Sequence, residues 1–189
     1  MLDLFSGLKG ASQAFEAAGW EVVTVDNNPD LNPTICCNVE DLYLHPDFQK
    51  YMVKNYFDLI WASPPCVEFY KVSAPWFDEF GQLPSLELVE DSLALIQILK
   101  PKYWILENTK MGKRFISKVL GNPKLIIEPF FFWGRFPLFD AAIDKNHKAL
   151  NDPGPSNKLR SNIRAKIPLE ISRSLLDVVE NQTDLSRWI

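Results

Sequence analysis

Three short runs in this chain carry residues that could do chemistry together. Phe57-Asp-Leu-Ile-Trp-Ala-Ser-Pro-Pro-Cys66 is an apolar, strand-like stretch that delivers a thiol behind two prolines. The prolines lock the backbone and remove two amide donors, which a central strand does not tolerate. A thiol just beyond them is presented rather than packed, and a thiolate is a nucleophile. Leu2-Asp-Leu-Phe-Ser-Gly-Leu-Lys-Gly10 reads as a strand running into a glycine turn. Gly7 and Gly10 let the backbone approach a ligand, with the amides of a following helix pointing at it. Tyr103-Trp-Ile-Leu-Glu107 ends an apolar strand on a carboxyl, followed by Asn108. Burial would raise the pKa of that acid and make it usable near neutral pH.

Each run also has a plainer reading. A single cysteine is often a small buried hydrophobe, the glycines suit any tight turn, and Glu107 could pair with Lys110. Their order along the chain argues for the chemical reading.

The elements that must position these groups alternate between strand and helix. Helices are expected over 11–18, 46–55, 86–99, 113–120 and 168–179, the last with Pro168 in its first turn. Strands are expected over 1–6, 21–26, 34–39, 57–62 and 102–106. Leu125 to Phe139 reads as a β pair broken near Gly134, and 144–161 as loop. The long loop from Ser63 to Pro84, with Glu68, Phe69, Tyr70, Trp76 and Phe77, could cover a substrate. Alternation of this kind predicts an α/β fold, a mostly parallel twisted sheet with an antiparallel late pair. Ligands of such sheets sit at the carboxyl ends of the strands. The glycine turn, Asp26, Cys66 and Glu107 all fall there, and Asp26 could accept from ribose hydroxyls, which suggests a nucleoside-containing cofactor.

The 189 residues suit one domain, with 47% hydrophobic and 23% charged residues. No apolar run reaches membrane-spanning length, and the start reads as strand and turn, not as a signal peptide. Cys36, Cys37 and Cys66 form no CxxC pair, which favours a reducing cytoplasm. His45 and His147 lie far apart in sequence, so no metal centre is expected. The net charge of -4 is unevenly spread: residues 1–99 hold 4 Lys/Arg against 15 Asp/Glu, and residues 100–173 hold 15 against 6. A basic face toward a polyanion accounts for this, as do solvated lysines on helix faces.

Together the three runs resemble the DNA cytosine-5 methyltransferase family. Leu2-Asp-Leu-Phe-Ser-Gly7 is similar to its cofactor-binding opening, Ser63-Pro-Pro-Cys66 to its nucleophile loop, and Glu107-Asn108 to the start of its Glu-Asn-Val motif. Residues 161–171 weakly resemble the motif leading into its closing helix. The resemblance implies a Rossmann-like, S-adenosylmethionine-dependent methyltransferase fold. It implies that Cys66 attacks carbon 6 of a flipped cytosine while Glu107 protonates or hydrogen-bonds ring nitrogen 3. By the same resemblance Phe5, Ser6, Gly7 and Leu8 line the methionine end of S-adenosylmethionine, and Asp26 holds its ribose. Asn27, Asn38, Val39 and Pro64 complete the cofactor set, with Asn38-Val39 at the adenine. Asn108 would position the loop that carries Pro65 and Cys66. Arg135, in Trp-Gly-Arg-Phe, is the candidate for the arginine that contacts the base.

The chain departs from the family pattern in places. Lys9 stands where a second glycine is usual, Asn38 where an acid is usual, and Thr109 follows Glu-Asn. Arg164-Ala-Lys-Ile-Pro168 replaces the common Gly-Asn-Ala-Val-Pro. Lys9 and Lys166 thus add charge near the expected cofactor, which leaves open whether the transferred group is a plain methyl. The interval 140–161 is too short for a target-recognition domain. The expectation is therefore a single catalytic domain over 1–189. It would act on duplex or single-stranded DNA with relaxed sequence choice, or borrow recognition from another subunit or a second copy. Compact relatives of this kind are often phage-encoded, which would place the protein in a bacterial or phage-infected cytoplasm. The same chemistry on RNA or a free cytosine nucleotide is an alternative, as is a catalytically silent cofactor- or nucleic-acid-binding module. A nicotinamide-binding sheet would leave Pro-Pro-Cys unexplained.

Overall fold

A computed structural model describes residues 1–67, 69, 83–144 and 150–181. The strands are β1 (Leu2–Leu4), β2 (Val23–Asp26), β3 (Ile35–Cys36), β4 (Leu59–Ala62), β5 (Tyr103–Thr109), β6 (Leu125–Ile127) and β7 (Phe130–Arg135). They form one sheet in the order β3-β2-β1-β4-β5-β7-β6. The first five are parallel; β7 runs antiparallel to β5, and β6 to β7. This is the expected Rossmann-like α/β architecture with an antiparallel late pair. Its direction of winding reverses between β1 and β4, the position where such sheets open a ligand crevice.

The central strands β1, β4 and β5 are buried along nearly their whole length because both faces are covered. Phe15, Trp61, Ile105, Phe132, Ile171 and Leu175 pack on one face, with α1 (Gln13–Ala17) and α5 (Leu169–Glu180). Leu4, Val25, Ile60, Leu95 and Leu99 pack on the other, with α2 (Glu87–Leu99). A third group, Leu106, Phe115, Ile116, Phe131 and Trp133, seats α3 (Lys110–Leu120) on β5 and β7. A short helix, α4 (Arg160–Ala165), precedes α5.

The structure corrects several sequence expectations. Residues 46–55 are not an α-helix; two 3-10 helices, Val39–Leu44 and Pro46–Tyr51, occupy the region. Each buries residues spaced by three (Val39 and Leu42; Phe48 and Tyr51), the period of a 3-10 turn. The late β pair breaks at Glu128-Pro129, where the chain reverses between Ile127 and Phe130, not at Gly134. Gly134 lies inside β7 because a Cβ there would press on the Trp104 carbonyl and come within 2.9 Å of its ring.

Gly10 has a packing role as well. A Cβ on it would fall 2.6 Å from Ile167 N and 2.5 Å from Ile167 O, so only glycine lets the segment before α5 lie against the turn. Buried Ser172 holds the same contact, donating to Ala11 O at 2.7 Å and accepting from Ala14 N at 3.1 Å.

Candidate active site

The turn after β1 is held in a demanding conformation. Phe5, Gly7 and Lys9 all have positive φ, at 58°, 51° and 56°. For the two non-glycine residues this costs roughly 1–2 kcal/mol each. It explains why glycine suits the position of Lys9, and here a lysine accepts the strain. The turn is pinned to β2. Ser6 N donates to Val25 O at 3.0 Å, and Gly7 N donates to Asp26 Oδ2 at 2.9 Å. Asn28 N donates to Asp26 Oδ1 at 3.0 Å, so the Asp26 carboxylate joins the two ligand-facing loops. Each of its oxygens keeps a further lone pair. Asn27 Nδ2 donates to Asn38 Oδ1 at 3.0 Å, tying the turn after β2 to the segment after β3.

The end of the site that carries Pro-Pro-Cys and Glu-Asn is built by β4 and β5. Ser63 N donates to Leu4 O at 3.3 Å, so the Pro-Pro-Cys loop departs beside the glycine turn. Asn108 Nδ2 donates to Pro64 O at 2.9 Å, and Asn108 Oδ1 accepts from Thr109 N at 2.9 Å. Pro64 and Pro65 have no amide hydrogens to anchor the loop themselves, so buried Asn108 holds it. Glu107 is 7% exposed, and its Oε2 accepts from Ser63 Oγ at 2.8 Å. Ser63 Oγ in turn accepts from Trp61 Nε1 at 2.7 Å. Cys66 is half-buried against the cluster around Leu106 and Phe115.

These groups share one cavity of about 1010 Å³. Phe5, Ser6, Gly7, Leu8, Asp26, Asn27, Asn38, Val39, Pro64, Pro65, Cys66, Glu107 and Asn108 all line it. Arg135 does not. The antiparallel β7 carries it away, so that it pairs with Trp104 at the amino end of β5, while Glu107 pairs with Phe132. There its Nη2 donates to Pro101 O, beside Asp58, Lys100 and Lys102. The expectation of a base-contacting Arg135 is therefore corrected. Of the expected cover over the substrate, Phe69 is buried and stacked on Phe115 with centroids 5.7 Å apart. Glu68, Tyr70, Trp76 and Phe77 lie outside the described residues.

Sequence reasoning missed several lining groups. Asp3, 1% exposed in the middle of β1, accepts from Ser12 Oγ at 2.6 Å. Burial pushes its pKa up to about 7, against the opposing effect of the Ser12 hydrogen bond. An acid inside an apolar strand was the available signal. Ser63 and Trp61 had none. Gly112, inside α3, makes room for Asn108, since a Cβ there would lie 2.7 Å from Asn108 Cγ. A helical glycine four residues after an asparagine was its signal. Ser6 Oγ and Thr109 Oγ1 are buried without a hydrogen-bond partner, and both residues line the cavity. The segment before α5 closes the cavity with Asn162, Lys166 and Ile167.

Among the described residues no helix is long and apolar enough to cross a membrane, and no cluster of His, Cys, Asp and Glu could hold a metal ion.

Comparison with known proteins gives three findings. The family described as C-5 cytosine-specific DNA methylase matches residues 1–116, more than half of the chain. A protein of Frog virus 3 (isolate Goorha), named as a probable DNA (cytosine-5)-methyltransferase, is 31% identical over 125 residues. That match covers 60% of this chain and 55% of the viral protein, so the chain spans about half the length of this curated relative. A solved E. coli structure, described as a candidate DNA modification methyltransferase encoded within a prophage, shares 22% identity. It covers 71% of this chain and 45% of that one, with a TM-score of 0.44. The family match spans the glycine turn, Asp26, the Pro-Pro-Cys loop and Glu107-Asn108 alike. The chain belongs to the C-5 cytosine-specific DNA methylase family.

Proposed function

We propose that this chain methylates carbon 5 of cytosine in DNA, with S-adenosylmethionine as methyl donor and a transient covalent bond through Cys66. The observation that carries the reading is the meeting of Cys66, Glu107 and the glycine turn in one cavity, through the adjacency of β1, β4 and β5.

The cavity suits a cofactor of this kind. Buried Ser6 Oγ lacks a protein partner, and a buried hydroxyl calls for one. The volume lies at the top of the roughly 300–1,000 Å³ usual for one small-molecule site, which leaves room for a nucleobase beside the cofactor. Phe5, Ser6, Gly7 and Leu8 would hold its methionine end, Asp26 the ribose, and Asn27, Asn38 and Val39 the adenine side, with Pro64 alongside. When bound, S-adenosylmethionine supplies an electrophilic methyl group.

The residues of the chain do the rest. The Cys66 thiolate adds to carbon 6, breaking the ring's aromaticity and making carbon 5 nucleophilic. Glu107 gives a proton or hydrogen bond to nitrogen 3 and so absorbs the charge that develops there. Once carbon 5 carries the methyl group, its original proton leaves to a solvent base. Glu107 recovers its proton, the bond from Sγ to carbon 6 breaks, and the thiolate returns. Asn108 keeps Cys66 in place through Pro64. The target base must leave the duplex to reach Cys66.

Residues 1–189 act as one catalytic domain in this reading. Basic residues of α3, which starts just after Glu107-Asn108, supply phosphate contacts that position the DNA without specifying sequence. The interval 140–161 is too short to choose a sequence alone. The test incubates the chain with labelled S-adenosylmethionine and duplex DNA, single-stranded DNA, RNA or dCMP, followed by nucleoside mass spectrometry. 5-Methylcytosine in DNA, lost in Cys66→Ala, is the expected result. Its absence from both DNA forms would overturn the proposal.

A further inference from the structure

We propose that Ser63 is a positioning residue that assigns the working proton of Glu107 to Oε1, and that Trp61 sets the direction in which Ser63 donates. The inference rests on the proposed function and concerns how its acid is oriented.

The argument is one of donors and acceptors. An indole N–H only donates. Trp61 Nε1 lies 2.7 Å from Ser63 Oγ, so Ser63 accepts there. The hydroxyl has a single proton, and its other partner is Glu107 Oε2 at 2.8 Å. Ser63 therefore donates to Oε2. If Glu107 carried its own proton on Oε2, two donors would aim at Ser63 Oγ and the hydroxyl proton would lose its acceptor. When the carboxyl is protonated, the proton is thus on Oε1, and the acid that lines the cavity has one defined donor oxygen.

The relay is rigidly held at each member. Trp61 is fully buried in β4 and sits edge-on to Phe132, with centroids 5.8 Å apart and an interplanar angle of 67°. Phe132 is the cross-strand partner of Glu107. Ser63 directly precedes Pro64, which restricts it to extended backbone, and its amide is bonded to Leu4 O. A nearby hydroxyl that merely filled space would need neither the indole donor nor this restriction.

The test uses the whole chain with mixed-sequence duplex DNA and measures two rates. One is methyl transfer at saturating cofactor and DNA. The other is release of tritium from carbon 5 of labelled cytosine without cofactor, which reports addition of Cys66 and protonation of carbon 5 alone. Misorienting an acid should cost about tenfold, a fraction of the 10²–10⁴ that general acid–base catalysis contributes. Ser63→Ala is expected to lower both rates about tenfold, with KM for DNA and cofactor within about twofold of wild type. Ser63→Thr, which keeps Oγ, is expected to restore both to within about threefold; it also keeps the inference testable if Ser63→Ala folds poorly. Wild-type rates in Ser63→Ala beside an active wild-type chain would overturn this inference alone. So would a Ser63→Thr variant that folds but lacks activity. Absence of 5-methylcytosine with the wild-type chain would bring down the proposed function, and this inference with it.

Discussion

Adding one methyl group at Gly112 should invert the usual effect of a helix substitution. On an exposed helix, Gly→Ala stabilises by about 0.8–1.0 kcal/mol. In α3 the new Cβ would fall 2.7 Å from Asn108 Cγ and 3.1 Å from Asn108 Cβ, with Oδ1 closer still. Asn108 is 2% exposed and hemmed in, so it must break its bonds to Pro64 O and Thr109 N or force the helix away from β5. Overpacking costs about 1–3 kcal/mol, and each buried group left unpaired about 1–3 kcal/mol more. Set against the propensity gain, the net loss should be about 1–5 kcal/mol if water reaches one of the two orphaned groups. Urea midpoints of Gly112→Ala and wild type measure this. Because Asn108 anchors the loop carrying Cys66, kcat should also fall, by about 10–100-fold for a displacement near 1 Å. A double-mutant cycle isolates the cause. In an Asn108→Ala background the contacts to Oδ1 and Cγ are gone and only the 3.1 Å approach to Cβ remains, so Gly112→Ala should cost less than about 1 kcal/mol. If Gly112→Ala is as stable and active as wild type, or costs the same in both backgrounds, the account of Asn108 as the loop's anchor is wrong.

Other outcomes follow from single residues. Glu107→Gln should lower the single-turnover rate by about 10²–10⁴-fold while leaving cofactor affinity near wild type, as read by equilibrium dialysis. Asp3 makes stability fall as pH rises. Its folded pKa of about 7 exceeds the unfolded value of 3.8, so its contribution is complete below pH ~4 and lost as pH climbs through ~7. Asp3→Asn should flatten that slope, so that its urea midpoint relative to wild type is higher at pH 8 than at pH 5; parallel midpoints would count against it. Lys9→Gly should raise stability by about 0.5–1 kcal/mol, because glycine adopts the φ of 56° without strain. A fall in its thermal midpoint would show that the lysine side chain makes up for the strain. DNA affinity should weaken steeply with added salt if basic residues meet phosphates, and a flat titration would remove that part of the proposal.

What the sequence determined by itself was local chemistry. Pro64-Pro65 cannot donate and cannot continue a strand, so Cys66 had to leave the sheet. The apolar run over 103–106 had to be a strand with Glu107 near its carboxyl end, although β5 continues through Thr109. Alternating strand and helix signals required a largely parallel sheet with these groups at its carboxyl ends. The α-helix expected over 46–55 failed because residues spaced by three serve a 3-10 turn as well as one face of an α-helix. Tertiary structure decided what depends on strand order and direction. Reversal of the chain at Glu128-Pro129 sends Arg135 to the amino end of the sheet, although its sequence context had suggested the active site. Gly10 and Gly112 yield space to Ile167 and Asn108, neighbours that the sequence does not name. Ser63 gains its part only because β4 lies beside β5 and Trp61 lies beneath it. Residue types settle which groups can donate, accept or attack. Which of them meet depends on strand pairing and packing, where hydrogen bonds and close contacts act over a few ångströms between residues tens of positions apart.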